Sequence, residues 1–419
     1  MKSIWRNCVA TGLSVLMLAG SLAFGAKTLR ADEAKTVVYW SMWDQAEPQG
    51  QVIAQAAEAF TKETGIKVQV EFKGRSGIRE GLEPALAAGS TIDLFDEDID
   101  RVNKTFGKYL ADLDEFVKSS DYEKTANAGL IKAVRDLQGG KIKSIPYQPN
   151  LFTFFCNDKI FEEAGVKEYP KTWQEFKDAC AKIKEAGYIP ISSDDAYILE
   201  SMGYHMSRLV GEEETVRIIK ERDWDSDAVK QFAKDYAELA ELGYFSPNVA
   251  ASVWPSSQNT ELAVGLSAMY LNGSWLPNEV RETAGPDFKW GCFSYPTLEG
   301  GKTGLEALNF GAQVFAINDK SEVKAEAFKF IEYMTKGEWD KKLSEGTIGI
   351  PADTTNTEWP ALLEKVKPVL DGLQTRWAWG AGAEEDPDIT PMLKAAVQKL
   401  CGGQVDADGF IQLLKDTAK

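Results

Sequence analysis

Residues 36–72 read TVVYWSMWDQAEPQGQVIAQAAEAFTKETGIKVQVEF, and three patterns follow one another inside this stretch. Thr36 to Trp40 is a short β-branched and aromatic run, the composition of a strand. After a loop from Ser41 to Gln49, Val52, Ile53, Ala56, Ala57 and Phe60 recur at helical spacing. Gly65 stands where a helix ends in a left-handed residue. Lys67 to Phe72 then alternates, as a half-buried strand does. The stretch is expected to fold as a β-α-β unit, the building element of a sheet covered by helices.

The same alternation continues outward. A helix near Ile78 to Ala88 leads to an apolar strand, Ile92 to Phe95. Two strands are expected at Lys143 to Tyr147 and Leu151 to Cys156. Thr172 and Glu175 have the spacing of a capping box for a helix over Trp173 to Ala186, which Gly187 stops. Ser226 is placed to cap a helix ending near Leu242, Ser321 to start one running to about Lys336, and Thr390-Pro391 to open one ending at Cys401. Strands alternating with helices predict an α/β fold of mostly parallel sheets. Ligand contacts in such sheets gather in loops beyond the carboxyl ends of strands.

The 419 residues are too many for one ordinary core, so two domains are expected. At the start, Lys2 and Arg6 precede an apolar run from Val9 to Phe24, and small residues follow it. Residues 1–31 read as a signal peptide, cleaved after Ala23-Phe24-Gly25 or Leu29-Arg30-Ala31. Cys8 lies before the run, whereas a lipid-attachment cysteine would follow it. A free, extracytoplasmic, periplasmic protein is therefore expected. The formal charge is −17, and removing Lys2, Arg6, Lys27 and Arg30 makes the remainder more acidic still. Such a surface repels phosphate backbones and anionic lipid, which argues against nucleic acid or membrane-surface partners. Cys156, Cys180, Cys292 and Cys401 show no CxxC or metal-ligand spacing; buried thiols and disulfides both fit them.

Several catalytic chemistries find no matching pattern. His205 is the single histidine, and its neighbours Met202, Tyr204, Met206 and Leu209 suit a helix interior. Asp96, Asp98 and Asp100 have the spacing that opens a calcium loop, but Arg101 and Gly107 stand where Gly and Glu are needed. Gly301-Lys302-Thr303 ends like a phosphate-binding loop, yet Pro296 replaces its first glycine, so a surface turn fits better. No metal, cofactor or catalytic residue is therefore expected. Glu384, Glu385, Asp386 and Asp388 supply the carboxylates of the rival reading, a secreted glycan hydrolase.

Aromatic residues carry the positive signal. Twelve tryptophans are present, and Trp40, Trp43, Trp254, Trp275, Trp377 and Trp379 fall at strand ends or in loops. A pyranose ring offers an apolar face to stack on an indole and a fringe of hydroxyls for carboxylates and amides to hold. The same loops carry such groups: Asp44, Gln45 and Glu47, then Asn272, then Glu384, with Asp96, Glu97 and Asp98 at the end of a strand. These loops contain few Arg or Lys, which favours a neutral sugar over an anion. It leaves a polyamine as a second rival, since Trp and Asp also suit organic cations.

Seven segments together resemble one family. They are Val38-Tyr39-Trp40-Ser41-Met42-Trp43, Gly65-Ile66-Lys67-Val68, Ile145-Pro146-Tyr147 leading to Asn157 through Gly165, Thr172 through Phe176, Ala268 through Trp275, Phe315-Ala316-Ile317-Asn318, and Gly349-Ile350-Pro351-Ala352. In this order and spacing the chain resembles the extracellular solute-binding proteins of carbohydrate ABC transporters, the group that includes maltose-binding protein. Cys156 departs from it, standing where Tyr is common. The resemblance implies a two-lobed periplasmic-binding-protein fold of type II with three hinge crossings. Lobe 1 would comprise 34–148 plus 311–350, and lobe 2 149–310 plus 351–419. It further implies a monomer that closes around a small-molecule sugar and docks on the membrane permease of an ABC importer. Trp275 matches the family's sugar-stacking position. The loops holding Trp43 and Asp96 match contacts of the first lobe, and the Trp377–Trp379 region matches a late binding loop of the second.

Overall fold

In the computed structural model, which describes residues 35–255 and 257–417, the stretch 36–72 folds as its pattern demands. Strand β1 (Thr36–Ser41) alternates half-buried and buried side chains, and the helix Pro48–Thr64 buries Ile53, Ala56, Ala57 and Phe60. Gly65 ends the helix at φ 75°, its N–H donating to Thr61 O. Only glycine takes that left-handed conformation without cost to its side chain. Strand β2 (Lys67–Phe72) returns parallel to β1, with Thr36 beside Lys67. The expected signal peptide lies outside the described residues. Among the described residues, no helix is long and apolar enough to cross a membrane.

Seven further strands complete the sheets: β3 (Leu94–Asp98), β4 (Ile145–Asn157), β5 (Ile189–Ser192), β6 (Ser267–Gly273), β7 (Trp290–Phe293), β8 (Ala307–Ile317) and β9 (Thr375–Trp377). Their order is β2-β1-β3-β8-β4-β6-β5, with β7 also on β4 and β9 on β8. The sheets are mixed, not mostly parallel. Parallel pairs join β1 to β2 and β3, β5 to β6, and β8 to β9; β3–β8, β4–β8, β4–β6 and β4–β7 are antiparallel. Strand–helix alternation is local, and it does not fix the direction of a strand that returns from a distant part of the chain.

Three more expectations shift. The strands placed at 143–147 and 151–156 are one strand, β4. Its pairing with β8 slips between Tyr147 and Pro149, where Gln148 sits at φ 47°. A bulge lets a proline, which has no N–H to give, stand inside a ladder. Strand β3 starts at Leu94 instead of Ile92 and takes in the three acids placed at its end, because antiparallel pairing with β8 continues to Asp98 opposite Gln313. The caps hold. Thr172 Oγ1 accepts from Glu175 N at 3.3 Å and Glu175 Oε2 from Thr172 N at 3.1 Å. Ser226 accepts from Val229 N. The helix expected from Ser321 begins at Lys324, since the Ser321 hydroxyl serves a turn, accepting from Val323 N and donating to Asp93.

The fold is a two-lobed α/β structure. One core gathers Tyr39, Phe60, Leu94, Phe95, Phe315 and Phe330; the other gathers Phe154, Phe176, Tyr204, Phe232, Tyr295 and Trp377. Strands β4 and β8 contribute to both. His205 belongs to the second core, as its helical setting indicated. It is fully buried, with Nε2 2.9 Å from Asp235 Oδ2 and Nδ1 3.0 Å from the Tyr295 hydroxyl. Cys156, Cys180, Cys292 and Cys401 are buried and free. On β4 and β7, Phe155 faces Cys292 and Cys156 faces Gly291. Side chains alternate across a strand, so these two thiols lie on opposite faces of the sheet and do not meet.

Candidate functional site

Five aromatic side chains from five distant segments meet on the second lobe: Phe152 of β4, Tyr197, Trp254, Trp275 and Trp379. Trp275 and Trp379 lie nearly parallel, with ring centres 6.3 Å apart. Tyr197 is 6.2 Å from each of them and 6.4 Å from Trp254, while Phe152 supports them from below at 5.6 Å from Trp379 and 6.1 Å from Trp275. The Trp275 ring folds back over Gly273, where a Cβ would sit 2.2 Å from the indole. Glycine is required there by close approach. Trp254 and Trp379 keep 40% and 39% of their surface exposed.

The sequence pointed to three members of this wall and missed Tyr197 and Phe152. Tyr197 was within reach of the rule about loops after strands, since Asp194 to Tyr197 follow the carboxyl end of β5. Asp194, buried, fixes that loop: Oδ1 accepts from Ala196 N and Tyr197 N, and Oδ2 accepts from the Tyr270 hydroxyl. Trp377, in contrast, is turned into the core. It is 1% exposed, packed against Tyr204 at 5.2 Å and under the Arg208 guanidinium at 4.8 Å. Pairing of β9 with β8 at Asn309 draws it inward, and the chain leaves the strand before Trp379.

Among the polar candidates of this lobe, Asn272 is buried on β6. Its Oδ1 accepts from Gly273 N at 2.6 Å, and its Nδ2 has no partner. Glu384 pairs with Lys394 at 3.2 Å. Glu385 and Asp386 pair with Lys220 and Arg222.

The first-lobe candidates form a separate group around Trp43. This ring is 5% exposed; its Nε1 donates to the Tyr147 hydroxyl at 2.7 Å, and Arg75 lies 4.7 Å over its face. Arg75 also pairs with Glu47 at 2.9 Å, whose Oε2 accepts from Asp44 N; Asp44 and Gln45 are exposed. Glu97 is buried against Arg79, and Asp98 caps the helix Ile99–Lys104 by accepting from Asp100 N and Arg101 N. Asp100 pairs with Arg376, the residue before Trp377, and so links the two groups.

Asp96, like Glu97, is fully buried. It accepts from Met42 N at 3.0 Å and from the Tyr147 hydroxyl. Burial, opposed by those hydrogen bonds, raises its carboxyl from 3.8 to about 6. A folded value above the unfolded one means that this group's stability contribution is complete below the unfolded value and is lost as pH rises through 6. The shift corresponds to roughly 3 kcal/mol. The stability gap between wild type and Asp96→Asn should therefore move in favour of wild type by ~2–3 kcal/mol from about pH 8 to about pH 4. Urea unfolding of both proteins at each pH measures it. The subtraction cancels His205, whose pKa burial lowers and which acts in the opposite sense. A gap that does not change with pH would show Asp96 to ionise like an exposed carboxyl.

Aromatic faces on one lobe and a loop group of acids, two of them paired with Arg75 and Arg79, on the other, joined by strands shared between them, fit a ligand-binding protein of two α/β lobes. Residues 44–341 match the family described as bacterial extracellular solute-binding protein, and the chain belongs to it. A binding protein of Brucella abortus is 24% identical over 99% of this chain and 97% of its own. The diacetylchitobiose binding protein of Streptomyces coelicolor is 24% identical over 54% of this chain and 50% of its own. The solved structure of the sugar-binding protein MalE from Xanthomonas citri superposes with a TM-score of 0.72 at 18% identity, covering 91% of this chain and 96% of that one.

Proposed function

We propose that this protein is the extracytoplasmic, non-catalytic solute-binding component of an ABC importer. It takes a neutral mono- or oligosaccharide between its lobes, within the limits expected from the sequence, and delivers it to a membrane permease. The observation that carries the reading is the wall of Tyr197, Trp254, Trp275 and Trp379. Beside these rings Asp195 accepts from Trp254 N, and Lys394 is paired with Glu384. Such a surface suits C–H faces and hydroxyls. The names of the Streptomyces and Xanthomonas proteins, a diacetylchitobiose binder and a sugar binder, support the same ligand class.

Binding drives closure only through contacts made in the closed form, because a ligand shifts an equilibrium by its differential affinity. The secreted chain works as a free periplasmic monomer and needs no cofactor. A thermal-shift screen against mono- and oligosaccharides, diacetylchitobiose included, with spermidine alongside, tests the reading. A sugar at 100 times its Kd should stabilise the protein by about 2.7 kcal/mol. Incubation with the sugar that binds should release no reducing ends. A shift with spermidine alone would replace the ligand class, and hydrolysis would replace the function.

A further inference from the structure

The Trp379 ring stands on a turn that its own hydrogen bonds hold only in part. Gly380, Ala381 and Gly382 have φ of 70°, 43° and 89°, three left-handed residues in a row, and Ala381 carries a Cβ there. Within the turn, Ala381 N donates to Ala378 O and Ala383 N to Gly380 O. The remaining contacts come from elsewhere. Ser207, on the helix Ile198–Val210, donates to Ala381 O at 2.9 Å. Glu212 accepts from Ala378 N. Glu200, on the same helix as Ser207, accepts from Gly380 N through Oε1 at 2.9 Å. Gly203 lets the turn lie directly on that helix, since a Cβ there would sit 1.8 Å from Gly380 O.

Glu200 is an unusual acceptor. It is fully buried, and its Oε2 has no hydrogen-bond partner. Burial, with Glu384 and Glu212 nearby, pushes its carboxyl well above the ordinary range, against the Gly380 hydrogen bond and Lys394. Burying a carboxyl is costly unless it answers a need, and a buried backbone N–H in a left-handed turn is such a need.

We propose that Glu200 is a positioning residue for the sugar platform: through Gly380 N it pins the left-handed turn to the helix and so sets the Trp379 ring parallel to Trp275. The consequence for affinity rests on the sugar-binding reading above, whereas the placement of the ring does not. Glu200→Gln keeps the acceptor oxygen and the neutral form; Glu200→Leu keeps the size and removes the acceptor.

The test uses the full-length mature protein labelled with 5-fluorotryptophan. The Trp379 ¹⁹F resonance is assigned by its loss in Trp379→Phe. Glu200→Leu should shift or broaden that resonance without ligand, and should weaken binding of the sugar found by the screen about tenfold or more, the scale of one unsatisfied buried donor. Glu200→Gln should restore both. If Glu200→Leu does not fold, Glu200→Asp, whose carboxyl is withdrawn by one methylene, must displace the same resonance. An unmoved Trp379 resonance in a folded Leu or Asp variant overturns the proposal. Wild type that binds no sugar, with the resonance still moved, overturns the ligand reading and leaves the positioning role standing.

Discussion

Trp379→Ala should weaken sugar binding by about 2–4 kcal/mol, roughly 30- to 1,000-fold in Kd, while leaving the protein folded. The size follows from the position of the ring. A hot-spot aromatic is one whose face meets the partner in a pocket lined by other packed groups, and Trp379 is backed by Trp275, Phe152 and Tyr197. The tolerance follows from its exposure, since a side chain 39% exposed leaves little cavity behind when truncated. Trp275→Ala should cost a similar amount of affinity, and some stability as well, because its ring is packed over Gly273 and against Phe152. Calorimetry on the sugar selected by the thermal-shift screen reads both. An unchanged Kd in folded Trp379→Ala would remove this ring from the site.

Arg208→Ala should destabilise the fold by about 3–5 kcal/mol without touching the aromatic wall. Arg208 is fully buried and faces carbonyls instead of a carboxylate. Its Nε and Nη2 donate to Tyr295 O at 3.3 and 2.9 Å, its Nη1 donates to Gly304 O, and its plane lies on Trp377. Burial lowers its pKa to about 10, so it stays charged at neutral pH. Alanine would strand the buried Tyr295 carbonyl, leave the half-buried Gly304 carbonyl to water, and open a cavity beneath Trp377. Both costs fall on the second core, and urea unfolding at neutral pH measures them. A loss below about 1 kcal/mol, the ordinary cost of a point substitution, would mean that water takes the place of the guanidinium.

The two cases also show where the sequence could be read and where it could not. Gly65, Thr172 with Glu175, and Ser226 act within a few residues, so their roles were visible in the letters. The direction of β8 and the unity of β4 were hidden, because each depends on a partner strand far along the chain. Among the tryptophans the limit is sharper still. Trp377 and Trp379 look alike in sequence, but one is drawn into the core by β9 pairing and the other is lifted out by the left-handed turn. Tyr197 was missed because no strand was expected at Ile189–Ser192, so the rule about loops after strands had nothing to start from there. Its role comes from Trp254, Trp275 and Trp379 arriving beside it.

The pairing of β3 with β8 has a consequence for the order of events in the cell. Leu94 finds its ladder partner at Ile317, and β4 finds the same strand at Phe310 to Phe315. The first lobe's sheet thus lacks its central strand until most of the chain has been made. Contacts so distant in sequence must close long loops before they return any stability, and such folds form slowly. In a chain of an extracellular solute-binding family, that delay leaves the leading strands without their neighbour for longer. The arrival of β8 is thus the step that completes the first lobe's sheet and joins it to β4.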